Sequence, residues 1–318
     1  MKATDVLGCA GAVIAIFLAT SWIPLIGPLI SLTPLPFLFY ASKSGRLQGA
    51  LNVAFSLLII GLIAGLLGQP QIVFLFIEFG LVGLVLAELF RQELSFGHTM
   101  LWGTVMILVF GVVALYLFSP PDKTSPLELF LEITRGQIKE ISRAIEQKTP
   151  DKETVRQINE LLRIMTKVIE QIYPALMVMG TTLMVWANVM VAKVLFRKAG
   201  LKYPDFGALN RWSAPVSMVW ITIAAGFASF FPDEGIKFLA INLLIVLAAI
   251  YTWQGLMIMM FFFNQYRIST WILSGVCLLI FFQPYLLLVL ALAGLFDQWI
   301  DFRKLRPPAV KDPEDDLE

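Results

Sequence analysis

Long apolar runs separated by short polar or proline-rich breaks fill most of the chain. The first run, about residues 7–22, stops at Pro24, and a stretch carrying Pro28, Pro34 and Pro36 leads a second run, about 30–41, up to Lys43 and Arg46. Four prolines within 13 residues would break a single long helix, so the pattern predicts two passes here. Runs at about 48–67, 72–90 and 100–118 follow, each closed by Gly, Pro or charge. Beyond a charged insert the runs resume at about 173–195, 216–231 and 236–263, and the last, 271–296, carries Gln283-Pro284 at its middle. That last stretch reads either as one kinked helix or as a short hairpin. A helix crosses the roughly 30 Å hydrocarbon core with about 20 residues. Half of the last stretch reaches only about 20 Å. The expected fold is an all-α polytopic membrane protein with about 8–10 transmembrane segments.

The insert at 119–172 has a different character, with nine basic and nine acidic residues in 54 positions. Leu127, Leu131, Thr134, Ile138, Ile141 and Ile145 recur at heptad spacing, and Val155, Ile158, Leu162, Met165, Ile169 and Ile172 repeat it. Ser125 with Pro126 and Glu128, and Thr149 with Pro150, supply the cap and first-turn proline that open a helix. Two arrangements fit: an antiparallel helical hairpin outside the bilayer, or two amphipathic helices lying on the headgroups. Balanced charge argues against the second. The chain then divides into an N-terminal membrane bundle (1–118), an extracytoplasmic hairpin (119–172), a C-terminal membrane bundle (173–300) and a polar tail (301–318).

Composition turns the pattern into a class. Of 318 residues 58% are apolar and 15% charged, whereas soluble chains sit near 45–50% and about 25%. The excess apolar surface must face lipid. A net charge of +1 leaves no basic surplus for a phosphate backbone, so nucleic acid is excluded as a partner. Lys2 before an apolar run imitates a cleavable leader, but the prolines and further spans behind it favour an uncleaved first helix.

Basic residues near a membrane stay cytoplasmic. With the N-terminus inside and the last stretch taken as a hairpin, 14 Lys and Arg face the cytoplasm, while the short outer loops hold only Lys237. Both termini are therefore expected in the cytoplasm, with ten segments between them.

Candidate chemistry is sparse. Cys9 and Cys277 lie alone in apolar runs, His98 is the single histidine, and no Gly-x-x-x-x-Gly-Lys-Ser/Thr stretch occurs. No zinc or other metal site, cofactor or catalytic set is expected, and the chain does not read as an enzyme. Glu78, among Phe74, Phe76 and Phe79, is the one clearly intramembrane acid. Ionised in lipid it would cost several kcal/mol, so it must face the interior, pair with a cation or stay protonated. It leads a list of ligand-binding candidates completed by Trp186, Asn188, Asn242, Trp253 and Gln254; the amides serve equally as glue between helices. Gly8 and Ala12, and on the next row Gly11, Ala15 and Ala19, recur at four-residue spacing on the first helix. Such rows admit close approach of a helix from this chain or from another.

Pro24-Leu25-Ile26-Gly27-Pro28, Pro34-Leu35-Pro36 and Ser44-Gly45-Arg46-Leu47-Gln48-Gly49-Ala50 resemble the first three helices of substrate-binding (S) components of energy-coupling-factor vitamin transporters. Ala15-x-x-x-Ala19 is similar to the Ala-x-x-x-Ala signature with which those components dock on a coupling subunit. The charged insert and the larger number of segments depart from that pattern. Taken whole, the chain resembles the YybS-like family of bacterial membrane proteins, through Gly294-Leu295-Phe296-Asp297-Gln298-Trp299-Ile300-Asp301-Phe302-Arg303 and Glu78-Phe79-Gly80-Leu81-Val82-Gly83-Leu84. The resemblances imply a bacterial inner-membrane location. Two functions follow as expectations. One is binding or uptake of a small molecule, with separate energising subunits. The other is a scaffold for envelope assembly that grips a partner through its hairpin.

Overall fold

The computed structural model describes residues 2–69, 72–118, 126–148 and 151–305, and every regular element among them is helical. The chain forms two compact units, Met1–Phe206 and Gly207–Glu318. The first contains α1 (Ala3–Trp22), a 3₁₀ stretch (Pro24–Leu32), α2 (Pro34–Lys43), α3 (Arg46–Leu66), α4 (Ile72–Arg91), α5 (Phe96–Phe118), α6 (Pro126–Lys148) and α7 (Lys152–Ala199). The second contains a 3₁₀ turn (Leu209–Arg211), α8 (Ser217–Ala228), α9 (Glu234–Gln265), α10 (Thr270–Phe282) and α11 (Pro284–Ile300).

All ten expected apolar segments are helical, but fewer than the expected 8–10 are single helices long enough to cross a membrane alone. Among the described residues six helices are long and apolar enough, α1, α3, α4, α5, α7 and α9, or seven if the bent pair α10 and α11 counts as one. The difference lies in short elements: α2 has 10 residues and α8 has 12. The last stretch is two helices, bent by 109° about Gln283-Pro284.

The 3₁₀ stretch and α2 work together as one broken pass. Lys43 Nζ lies 2.6 Å from Asp5 Oδ1, so the end of α2 has returned to the first turn of α1. A 3₁₀ stretch of this length rises about 18 Å and α2 about 15 Å, which together match the core thickness. Irregular backbone at that depth survives only inside protein. Here the Asn188 side chain of α7 donates to the Ser31 carbonyl at 2.8 Å. Pro34 and Pro36 remove two N–H groups that the start of α2 would otherwise leave unpaired. At the other end Arg91 Nη2 donates to the Ala41 carbonyl at 2.6 Å and the Ser44 carbonyl at 3.2 Å, closing the last turn. Glycines let this short helix sink between its neighbours: a Cβ on Gly83 would fall 2.5 Å from Phe37 Cβ, and one on Gly49 2.5 Å from the Ala41 carbonyl oxygen.

α7 runs 48 residues without interruption. Its second half is the spine of the first unit, with Val185, Val189, Ala192 and Phe196 fully buried. Its first half pairs with α6. Arg135 Nε lies 2.6 Å from Glu170 Oε1, Ser142 Oγ donates to Asn159 Oδ1 at 2.6 Å, and Asn159 Nδ2 donates to Glu146 Oε1 at 2.9 Å. That register is an antiparallel hairpin. Ile138, Ile145, Val155, Ile158, Leu162, Ile169 and Ile172 are half-buried along the seam, whereas Ile141 and Met165 stand about half exposed or more, at 50% and 55%. The helix passes straight through the division expected at 172/173, with Pro174 accommodated inside it. The compact units part after Phe206 instead.

The expected caps Ser125 and Thr149 and the acidic tail after Pro308 lie outside the described residues. The residue that opens α7 is Asp151, which accepts from the Glu153 and Thr154 amides at 3.2 Å and from the Thr154 hydroxyl. The Thr154 hydroxyl, then the two amides, hold its carboxyl below the usual aspartate range. A lowered folded pKa means that the cap contributes above the ordinary value and is lost as pH falls through the lowered one. Amide exchange at 152–155 is therefore expected to speed up, beyond its intrinsic pH dependence, only below about pH 4. Asp151→Ala should show the faster exchange at every pH and abolish the step.

Candidate functional site

The six ligand-binding candidates divide equally between the two units. Glu78, Trp186 and Asn188 belong to the first unit, and Asn242, Trp253 and Gln254 to the second. Glu78 sits half-buried on α4, facing α5, where a Cβ on Gly111 would lie 3.9 Å from its Oε1. Among the described residues its carboxylate has no hydrogen-bond or ion-pair partner. Asn188 is fully buried, and its Nδ2 is spent on the Ser31 and Met184 carbonyls, both at 2.8 Å. Trp186, two positions earlier, is half-buried on α7. Asn242 donates to the Phe238 carbonyl of its own helix at 2.9 Å, which is back-bonding rather than presentation to a ligand. Trp253 is half-buried beside a fully buried Gln254.

Gln254 is the candidate that the structure places in a network. Its Oε1 accepts from the Ala214 amide and from Gln298 Nε2, both at 3.0 Å, while its Nε2 donates to Asp297 Oδ2 at 2.9 Å. Arg303 Nη2 reaches the same Asp297 oxygen at 2.8 Å, and both side chains are nearly inaccessible, 1% and 4%. Arg303 Nη1 donates to the Asn210 and Trp212 carbonyls at 2.9 Å, and Gln298 Nε2 to the Ala214 carbonyl at 3.0 Å. Asp297 Oδ1 accepts from the Phe302 amide at 2.9 Å, shaping the turn after α11. The network fastens the irregular 210–214 segment to α9 and α11.

The helices that carry it meet at backbone distance. A Cβ on Gly255 would fall 2.7 Å from the Leu290 carbonyl carbon, and one on Gly294 2.9 Å from the Tyr251 carbonyl carbon. This reciprocal glycine pair brings Gln254 and Gln298 within reach of each other. Asp297, Gln298 and Arg303 belong to the 294–303 segment that carries the family resemblance, outside the expected ligand-binding set. Their signal was an acid and an amide closing an apolar helix, with an arginine six positions on.

The small-residue rows on α1 separate. Gly8 lies directly beneath the Tyr40 hydroxyl of α2 and Ala12 is half-buried, while Gly11, Ala15 and Ala19 are exposed. At one end of the first unit Arg46 Nη2 lies 2.5 Å and Arg91 Nη1 3.3 Å from the Glu88 carboxylate, close to the Lys43–Asp5 pair in the chain. Among the described residues no three His, Cys, Asp or Glu side chains come together to hold a metal ion.

Apolar helices packed through glycine and buried amides, with polar groups satisfied internally, define a polytopic helical membrane protein. The chain belongs to the family of predicted membrane proteins designated DUF2232, whose model matches residues 11–298. No curated protein matches it, and no solved structure does.

Removing one partner of the Asp297–Arg303 pair leaves the other charged and buried, which costs about 3–5 kcal/mol. Asp297→Ala alone is expected to lower the thermal unfolding midpoint of the purified protein more than Asp297→Ala combined with Arg303→Met. A double variant at least as damaged as the sum of its singles would contradict the reading of the pair as one unit.

Proposed function

We propose that this protein is a membrane-anchored scaffold in which the α6–α7 hairpin is the surface presented to partners in cell-envelope assembly. The observation that carries this reading is the continuity of α7. One helix forms both the spine of the first unit and the long arm of the hairpin, so whatever docks on the arm is held rigidly against the membrane. The use of most polar candidates in internal hydrogen bonds also favours a structural role over a ligand pocket. We place the protein in a bacterial inner membrane with both termini cytoplasmic, on the asymmetry of Lys and Arg along the chain and on its resemblance to the YybS-like family. Replacing residues 126–172 with a short flexible linker should abolish crosslinking to envelope partners in native membranes while the remaining helices stay folded by circular dichroism. Crosslinking that persists in that variant would overturn the scaffold.

Glu78 favours a second reading, in which an S-component-like first unit binds a small molecule and docks on energising subunits through the open Gly11, Ala15 and Ala19 row. A half-buried carboxylate with no protein partner among the described residues is placed to meet a cationic or hydroxyl group. Native mass spectra of the wild-type protein should then carry a bound mass too small for lipid that disappears in Glu78→Gln. Spectra carrying lipid alone would remove this reading.

A further inference from the structure

Several features outside the polar network could hold a partner or a lipid, and the one that the structure carries furthest is the outer face of α7. Leu161, Met165 and Val168 are exposed apolar residues on its hairpin half, at 60%, 55% and 46%. Leu176, Met179 and Leu183 continue the line on its membrane half, also exposed. With Ile172 between them the positions advance by 4, 3, 4, 4, 3 and 4, an 11-residue repeat. At 3.67 residues per turn such a repeat stays on one side of a nearly straight helix.

Lipid covers only part of this line. The apolar run of α7 starts at about Tyr173, so Met165 and Leu161 stand roughly 12 and 18 Å further along the helix, beyond the hydrocarbon. A continuous apolar stripe in water is a protein contact surface. Its occupant must lie alongside both halves, which requires a helix that itself runs from the membrane into the space beyond it.

We propose that this occupant is α7 of a second copy of the chain, packed parallel to the first about a twofold axis along the membrane normal. The membrane gives every copy the same orientation, so a second α7 presents the same stripe in the same direction and at the same height. Charge placement fits self-pairing. In a parallel symmetric pair residues near the axis meet their own copies, so charged flanks would repel. At 3.6 residues per turn Glu153, Arg156, Glu160, Arg163 and Lys167 all fall within an arc of about 80° on the far side of the helix. Gln157, which borders the stripe, is uncharged. The α6 seam, through Val155, Leu162 and Ile169, faces about 80° away from the stripe and shares Ile172 with it. The inference rests on the scaffold reading and adds that the scaffold is a dimer with two hairpins side by side.

Oxidative crosslinking of variants with one exposed cysteine, in native membranes, tests it. Cys277 is exposed and is replaced by Ser, while Cys9 is buried and stays. Leu161→Cys, Met165→Cys and Val168→Cys should each give a band at twice the monomer mass, and Arg163→Cys and Lys167→Cys, on the far face, should give none. Adding Leu161→Glu and Met165→Glu to Val168→Cys should remove its band while thermal unfolding of the purified variant remains cooperative. Equal bands at all five positions, or no doubled band from the stripe positions, would overturn the pairing. A stripe cysteine that links instead to a different polypeptide would overturn self-pairing and leave the scaffold standing. Loss of envelope crosslinks on replacing residues 126–172 decides the scaffold independently.

Discussion

Hydrocarbon offers no hydrogen-bond partner, so each departure from a continuous helix in this chain has to be satisfied by protein. The broken pass of residues 24–43 shows how that is done. Asn188 takes the Ser31 carbonyl, Pro34 and Pro36 delete donors, and Arg91 gathers the carbonyls at the far end. Each of these groups comes from a different part of the sequence, so the break is possible only once α4 and α7 are in place. The glycines at 49 and 83 belong to the same arrangement, because a short helix can be sheltered only if its neighbours approach to backbone contact.

The second unit meets the same constraint with a polar lock. An irregular segment around Ala214 is held by Gln254, Gln298 and Arg303, with Asp297 balancing the guanidinium. Such a pair contributes little net stability compared with an apolar substitute, but it penalises every packing in which one member is left alone. In a bundle of interchangeable Leu, Ile and Val contacts, a penalty of that kind selects one alignment of α9 and α11.

Much of this was legible in the sequence because lipid imposes a simple pattern. The runs, the heptad seam and the proline breaks all mark helices, and the charges of 119–172 mark the hairpin. Three things were not legible. Which runs cross as single helices was hidden, since an apolar run of 10 or 12 residues looks the same whether it spans or is sheltered. The continuity of α7 was hidden by the change from charged to apolar composition near Tyr173, although composition sets solvent and not backbone. The polar lock was divided between Gln254, read as a ligand candidate, and Asp297 and Arg303, read only as a motif. Distance along the chain concealed that they share one hydrogen-bond network.

The length of α7 also makes it a lever. Some 20 of its residues, about 30 Å of helix, project beyond the bundle that grips its other half. A rotation of 10° about the point where α7 leaves that bundle would carry the outer end of its projecting half roughly 5 Å sideways.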